Sequence, residues 1–243
     1  MKLRFLAATG AAAALVAGSL LAAAPATAKS DDIVNVYGDI TAVEGDSYPA
    51  GWFLGKINPP ATAGTATASA DGLVVTGTTQ LLNGTKIPVR GGEAFTALAT
   101  NAAIDLVSGQ AVFQIPVYFN TADNELSSLF TTLRPADPGT PKFETQWISS
   151  RDISFGTGEG TINIQRNTPY PASTFADAFE AAVDREMSPT ILAFGIFVND
   201  NTRATVNSIT FAGTTYVFRP APTTELEPAP VPQPVKKDAT FTG

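Results

Sequence analysis

Residues 191–198 are apolar at every one of eight consecutive positions. The run is too short to cross a bilayer, which takes about 20 residues. Pro189 precedes it and Asn199 follows it, so it has no room to grow into a helix. Its length and its Ile, Phe and Val content predict a strand covered on both faces. A chain that contains such a strand must build a sheet around it and then bury that sheet twice.

The surrounding sequence supplies more strands. Residues 33–37 are short and β-branched, and residues 73–76 follow the turn pair Asp71-Gly72. Residues 104–107 and 111–119 flank Ser108-Gly109 and predict a hairpin. In its second arm Phe113, Ile115, Val117 and Phe119 share one face, with Gln114 and Tyr118 on the other. Pro116 cannot donate to a ladder, so that arm is expected at a sheet edge or beside a bulge. Residues 161–165 alternate cleanly. Residues 206–211 and 214–218 flank Ala212-Gly213 as a closing hairpin. The apolar parity slips between Val206 and Ile209, which predicts a bulge at Asn207-Ser208. The expected core includes Phe113, Ile115, Ile164, Leu192, Phe194, Ile196, Ile209 and Phe211.

One helix is expected. Thr174 and Asp177 have the spacing of a capping box. Phe175, Ala178, Phe179, Ala182, Val183 and Met187 then recur at intervals of three and four, and Pro189 stops the pattern. Shorter helical turns are expected near residues 93–99 and 124–133. Many short strands, Gly/Pro/Asn turns and one short helix together predict an all-β fold, a single β-sandwich of jelly-roll type.

The N-terminus carries Lys2 and Arg4, an apolar run over residues 5–24, and then Ala26-Thr27-Ala28. This order is that of a secretory signal peptide over residues 1–28, cleaved before Lys29. Residues 29–219 form the expected domain. Residues 220–243 carry prolines at 220, 222, 228, 230, 232 and 234 and almost no large apolar side chain, so they are expected as an extended, solvated spacer. The expected location is the exterior or the cell wall, and the composition suits a bacterial export product.

Removing residues 1–28 takes two bases and no acid from the 15 bases and 22 acids, leaving 13 against 22 and a net charge of −9. Such an acidic chain, without a Lys/Arg cluster, argues against nucleic acid and against an anionic membrane as partner. There is no cysteine, so no disulfide replaces a core. There is no histidine either. Ser-His-Asp and Cys-His catalysis cannot be built, nor can a His-ligated metal or haem site. No cofactor is expected.

Residues 191–201, with Asn199-Asp200-Asn201 at their end, and residues 204–218, from Ala204 to Phe218, resemble the closing strands of galactose-binding-like jelly rolls. Those domains are often appended to secreted bacterial proteins as carbohydrate-binding modules. The resemblance covers about 30 residues of core strand. It implies a fold and a ligand class and transfers no binding residue.

Glycan binding needs aromatic faces and planar polar groups. Trp52 lies in a loop-like stretch after Tyr48-Pro49. If residues 146–152 form a strand, Trp147, Ser149 and Arg151 share a face, and Trp147 beside Arg151 would make a sugar platform. The competing reading places both tryptophans in the core. Glu144, Asp152 and Glu159 are candidates for the paired carboxylates of a glycan hydrolase, or are solvated acids. Asn199-Asp200-Asn201-Thr202 and Asp31-Asp32 have oxygen ligands but not the spacing of a calcium loop, so no metal is expected. Residues 156–160 look like a phosphate loop but lack the Lys-Ser/Thr and precede a strand, so they read as a turn. The leading expectation is a secreted, non-catalytic β-sandwich binding an extracellular ligand, glycan or a cell-wall component, with Trp147, Arg151 and Trp52 as binding residues. The alternatives are a structural or adhesive cell-wall protein and a carboxylate-based glycan hydrolase.

Overall fold

The structure, a computed structural model, describes residues 32–35, 40–42, 48–55, 64–120, 129–137, 146–157, 160–199 and 202–220. The expected signal peptide and nearly all of the spacer lie outside them. The described chain is an all-β sandwich with two helices.

The strands are β1 (Asp32–Asn35), β2 (Thr41–Ala42), β3 (Gly51–Gly55), β4 (Thr65–Ser69), β5 (Gly72–Thr76), β6 (Thr79–Pro88), β7 (Ala103–Gly109), β8 (Val112–Asn120) and β9 (Phe130–Pro135). They continue as β10 (Gln146–Ser149), β11 (Ile153–Thr157), β12 (Gly160–Ile164), β13 (Tyr170–Pro171), β14 (Ser188–Val198), β15 (Arg203–Phe211) and β16 (Thr214–Val217). Helix α1 spans Gly92–Thr100 and α2 spans Ala172–Asp184. One sheet runs β1-β16-β15-β5-β4, with β7 on the other side of β15. The second runs β13-β10-β9-β8-β14-β6-β3-β2, and β11 and β12 form a separate hairpin.

The fully apolar run is β14, held between β6 and β8 in the middle of the eight-stranded sheet. Phe194 stacks on Phe211 of β15 in the facing sheet, with ring centroids 4.5 Å apart, and Phe113 lies 6.0 Å from Phe211. These contacts join the two inner faces into one core. The helix pair closes one end: Phe95 of α1 stacks on Phe179 of α2 at 4.4 Å, and Phe119 of β8 meets Phe179 at 5.1 Å. Seven of the eight expected core residues are buried; Leu192 is half-buried at a ladder irregularity.

Strand β15 has an unusual role. Its first half, from Arg203 to Val206, pairs with β5, and its second half, from Ser208 to Phe211, pairs with β16. On its other side it pairs with β7, and the register shifts between Val206 and Ser208. Asn207 is thus the extra residue of the expected bulge, and it lies where β15 changes partner. The backbone carbonyl of Asn207 accepts a bond from Phe218 N–H at 2.9 Å. Ala212 and Gly213 have φ of 53° and 78°, as the tight closing hairpin requires.

Several expectations are corrected. Residues 104–107 and 111–119 do not form a hairpin: β7 pairs with β15 in one sheet and β8 lies in the other. Ser108-Gly109 is therefore the corner where the chain changes sheets. Gly109 has φ 86°, and a Cβ there would collide with the Arg203 carbonyl. Strand β8 is interior, not an edge. Pro116 is accommodated by the bulge alternative, because two β8 residues, Ile115 and Pro116, lie opposite three of β14 between the pairs Val117–Ile191 and Gln114–Gly195. Residues 130–133 are strand, not helical turn, since β9 pairs with both β8 and β10. The weaker helical signal near 93–99 is a full helix, α1. Helix α2 begins two residues before Thr174, after Pro171, and no side-chain cap is formed.

Candidate functional site

Trp147 and Trp52 are 1% and 5% exposed. Both belong to the core, and the platform built on them is overturned. In β10 the odd positions face inward: Trp147 pairs with Pro135 and Ser149 with Leu133, all buried. The Trp147 ring meets Phe113 edge-on at 6.4 Å, and its indole N–H has no hydrogen-bond partner. Trp52 is surrounded by Phe194, Tyr216 and Phe218 at 5.7, 5.4 and 4.8 Å.

Arg151 is exposed and does not share a strand face with Trp147. The strand ends at Ser149, whose buried hydroxyl donates to the Arg151 carbonyl at 2.6 Å and bonds Thr131 Oγ1 at 2.6 Å. This local turn competes with the ladder and swings Arg151 out. Alternation places Trp147 and Ser149 on one face but shows neither that the strand ends at Ser149, before Arg151, nor that the core claims that face.

The other candidates also resolve. Asp152 Oδ1 accepts the Arg166 backbone N–H at 2.7 Å, tying the base of the β11–β12 hairpin. Its proposed partners Glu144 and Glu159 lie outside the described residues, as do Asp31, Asp200 and Asn201. Asn199 and Thr202 close a turn on themselves, with Thr202 Oγ1 donating to the Asn199 carbonyl at 2.9 Å. Gly156 and Gly160 belong to the paired strands β11 and β12, with no helix after them. Among the described residues no three His, Cys, Asp or Glu side chains gather as metal ligands would.

A different surface emerges on the outer face of the eight-stranded sheet. Trp52 and Leu81 point into the main core, so their neighbours Phe53 and Leu82 point out. Phe53, Leu82 and Ala193 form a second apolar cluster, and Tyr48 packs against it. Tyr48 is placed there by backbone: Pro49 crosses over Gly84, where a Cβ would collide with the Pro49 carbonyl. Tyr118 lies between inward-facing Val117 and Phe119 and pairs with Phe130 of β9. The rings form a connected row. Tyr48 meets Phe53 at 6.2 Å and Phe130 at 6.3 Å, and Phe130 meets Tyr118 at 5.3 Å. Tyr48, Phe130 and Tyr118 are half-buried, whereas Phe53 is only 1% exposed.

The same face carries a fixed amide pair. Gln114 Nε2 donates to Gln80 Oε1 at 2.9 Å. Gly195, the register partner of Gln114, lies between them and has no side chain to obstruct the bridge. Sequence reasoning missed the row because it sought tryptophan. The available signal was the aromatic residue next to each core position: Phe53 after Trp52, and Tyr118 between Val117 and Phe119. No family model, curated protein or solved structure matches the chain.

Proposed function

We propose that the protein is an exported, non-catalytic β-sandwich that binds an extracellular glycan through the outer aromatic row. The observation that carries this reading is the connected set of half-buried rings, Tyr48, Phe130 and Tyr118, on an outer sheet face that also holds the Gln80–Gln114 amide pair. Apolar sugar faces stack on aromatic rings, and planar amides read hydroxyls. The likeness of the β14–β16 sequence to galactose-binding-like jelly rolls supports the same ligand class, and the signal-like N-terminus supports export.

The test is retention of the mature chain on a glycan array. Tyr118→Ala and Phe130→Ala should each weaken binding at least about tenfold, which is about 1.4 kcal/mol. Trp147→Phe should leave binding unchanged. If the wild-type chain retains no glycan, the reading fails. The second reading, a structural or adhesive wall protein, is then preferred, and the burial of both tryptophans already favours it over any tryptophan-based lectin.

A further inference from the structure

We propose that β4 is a docking edge for a second copy of this chain, the two β4 strands pairing antiparallel about a two-fold axis at Thr67. The edge belongs to the other sheet from the aromatic row, so the proposal stands apart from the glycan reading.

An edge strand offers unpaired backbone N–H and C=O groups, and folded chains blunt such edges with charge, proline, a bulge or extreme shortness. The ends of the two larger sheets follow that rule with one exception. In the eight-stranded sheet β2 and β13 are each two residues long, and β13 contains Pro171. In the other sheet β1 carries Asp32, and β7 carries Asp105, which accepts from the side-chain amide of Asn207. Strand β4 has none of these devices. It runs Thr-Ala-Thr-Ala-Ser in an unbroken ladder with β5, and no other described strand pairs with it. No charged side chain lies between Lys56 and Asp71. Thr65 and Thr67 are exposed, and Ala66 is half-buried against the core.

The strand is also its own complement. A two-fold interface requires that residue i meet j and that j meet i. Centred on Thr67, antiparallel pairing sets Thr65 opposite Ser69 of the second copy, Ala66 opposite Ala68, and Thr67 opposite its own equivalent. Hydroxyls then meet hydroxyls on the outer side, and methyls meet methyls on the inner side. The chain already uses such hydroxyl rungs. Thr65 Oγ1 and Thr76 Oγ1, register partners in β4 and β5, are 2.9 Å apart, and so are those of Thr210 and Thr215 in β15 and β16.

The ladder would add about four to six backbone bonds across the seam. Five residues of strand are only about 17 Å long. Such a seam is small beside the roughly 1,200 Å² at which stable interfaces begin, so the pairing is weak and reversible. Both copies are acidic, which opposes association, and salt screens that repulsion.

Sedimentation equilibrium of the full mature chain should show monomers and dimers in exchange, with the dimer favoured by salt. Thr67→Lys and Thr67→Glu each set like charges opposite one another at the axis and should weaken association about fivefold. An equal mixture of the two variants sets Lys against Glu and should restore it. A chain that is monomeric at every concentration overturns the proposal and leaves the edge to a strand of another sequence. Undiminished association of either variant, or a mixture that stays monomeric, overturns it as well. Amide exchange on the unsubstituted chain needs no variant to fold. As concentration rises, exchange in β4 should slow at least about threefold more than in β7. Slowing in β7 instead, or in neither strand, also overturns the proposal.

Discussion

The carboxylate of Glu180, in the second helix, accepts the backbone N–H of Gly92, at the start of the first, at 2.8 Å across 88 residues of chain. Helix α1 has no capping side chain of its own: its N-cap is Gly91, at φ 111°. A neighbouring helix thus supplies the acceptor that a local Ser or Asp would normally provide, at the end where the helix dipole favours an anion.

That relationship gives the first prediction. A Cβ on Gly91 would lie 2.5 Å from Glu180 Oε2, in a backbone conformation that L-residues avoid. Glu180→Ala should cost about 1 kcal/mol as a lost cap. Gly91→Ala should cost about 1–3 kcal/mol for the extended positive-φ backbone alone, a region that is essentially glycine-only, and more from the collision. In the double variant the collision is gone, so the two costs should sum to less than the singles predict. Urea unfolding of all four chains measures the coupling, and strict additivity would refute it.

The second prediction concerns Trp147. Because it fills core, Trp147→Ala should cost about 3–5 kcal/mol. Trp147→Phe should cost clearly less, since the indole N–H has no partner to lose. Thermal melts of the two variants test this, and a small effect of the alanine variant would return Trp147 to the surface.

Phe194 gives the third. It stacks on Phe211 at 4.5 Å and meets Trp52 and Tyr216 at 5.7 and 5.5 Å, so it ties together both sheets. Phe194→Ala should cost about 3–5 kcal/mol. Chemical denaturation showing less than about 1 kcal/mol would mean that β14 is not central.

The fourth concerns alkaline pH. Burial raises the Tyr216 phenol above its usual range, and a hydrogen bond with Thr214 partly offsets this. In the unfolded chain the phenol releases its proton near pH 10. The folded chain holds the proton longer, so above about pH 10 the unfolded state binds fewer protons and stability falls as pH rises. Below about pH 10 this contribution is fully present. Tyr216→Phe should flatten the alkaline slope. Urea midpoints at about pH 8 and about pH 11 compare the two chains, and equal slopes would exclude Tyr216 as the cause.

The legible part of the fold was the part written in local alternation. Phe113, Ile115, Ile164 and Ile209 declare their burial by period, and the parity slip between Val206 and Ile209 marks the bulge at Asn207. What alternation does not encode is partnership. Ser108-Gly109 has the residues of a hairpin turn, yet the chain changes sheets there, because a close approach to the Arg203 carbonyl demands the same glycine that a turn would. Pro116 signals a missing ladder bond but not whether an edge or a bulge excuses it. For the candidate site, alternation put Trp147 and Ser149 on one side, and only the facing sheet decides that this side is dry. The outer row depends on chain segments that meet in space: Tyr48 reaches Phe130 because Pro49 crosses Gly84, and nothing near either ring announces the other.

The change of partner along β15 has a consequence for timing. Arg203 waits on Thr76 and Thr210 on Ala103, pairings separated by about a hundred residues or more, while Thr210 also meets Thr215, made moments later. Until β15 is in place, the β4–β5 pair and β7 have no common strand to join them. Loops of that length close slowly, and contacts so distant in sequence place the chain among slow folders. Strands β5 and β7 therefore keep unpaired edges until β15 docks between them, and the rate of folding depends on that late, long-range step.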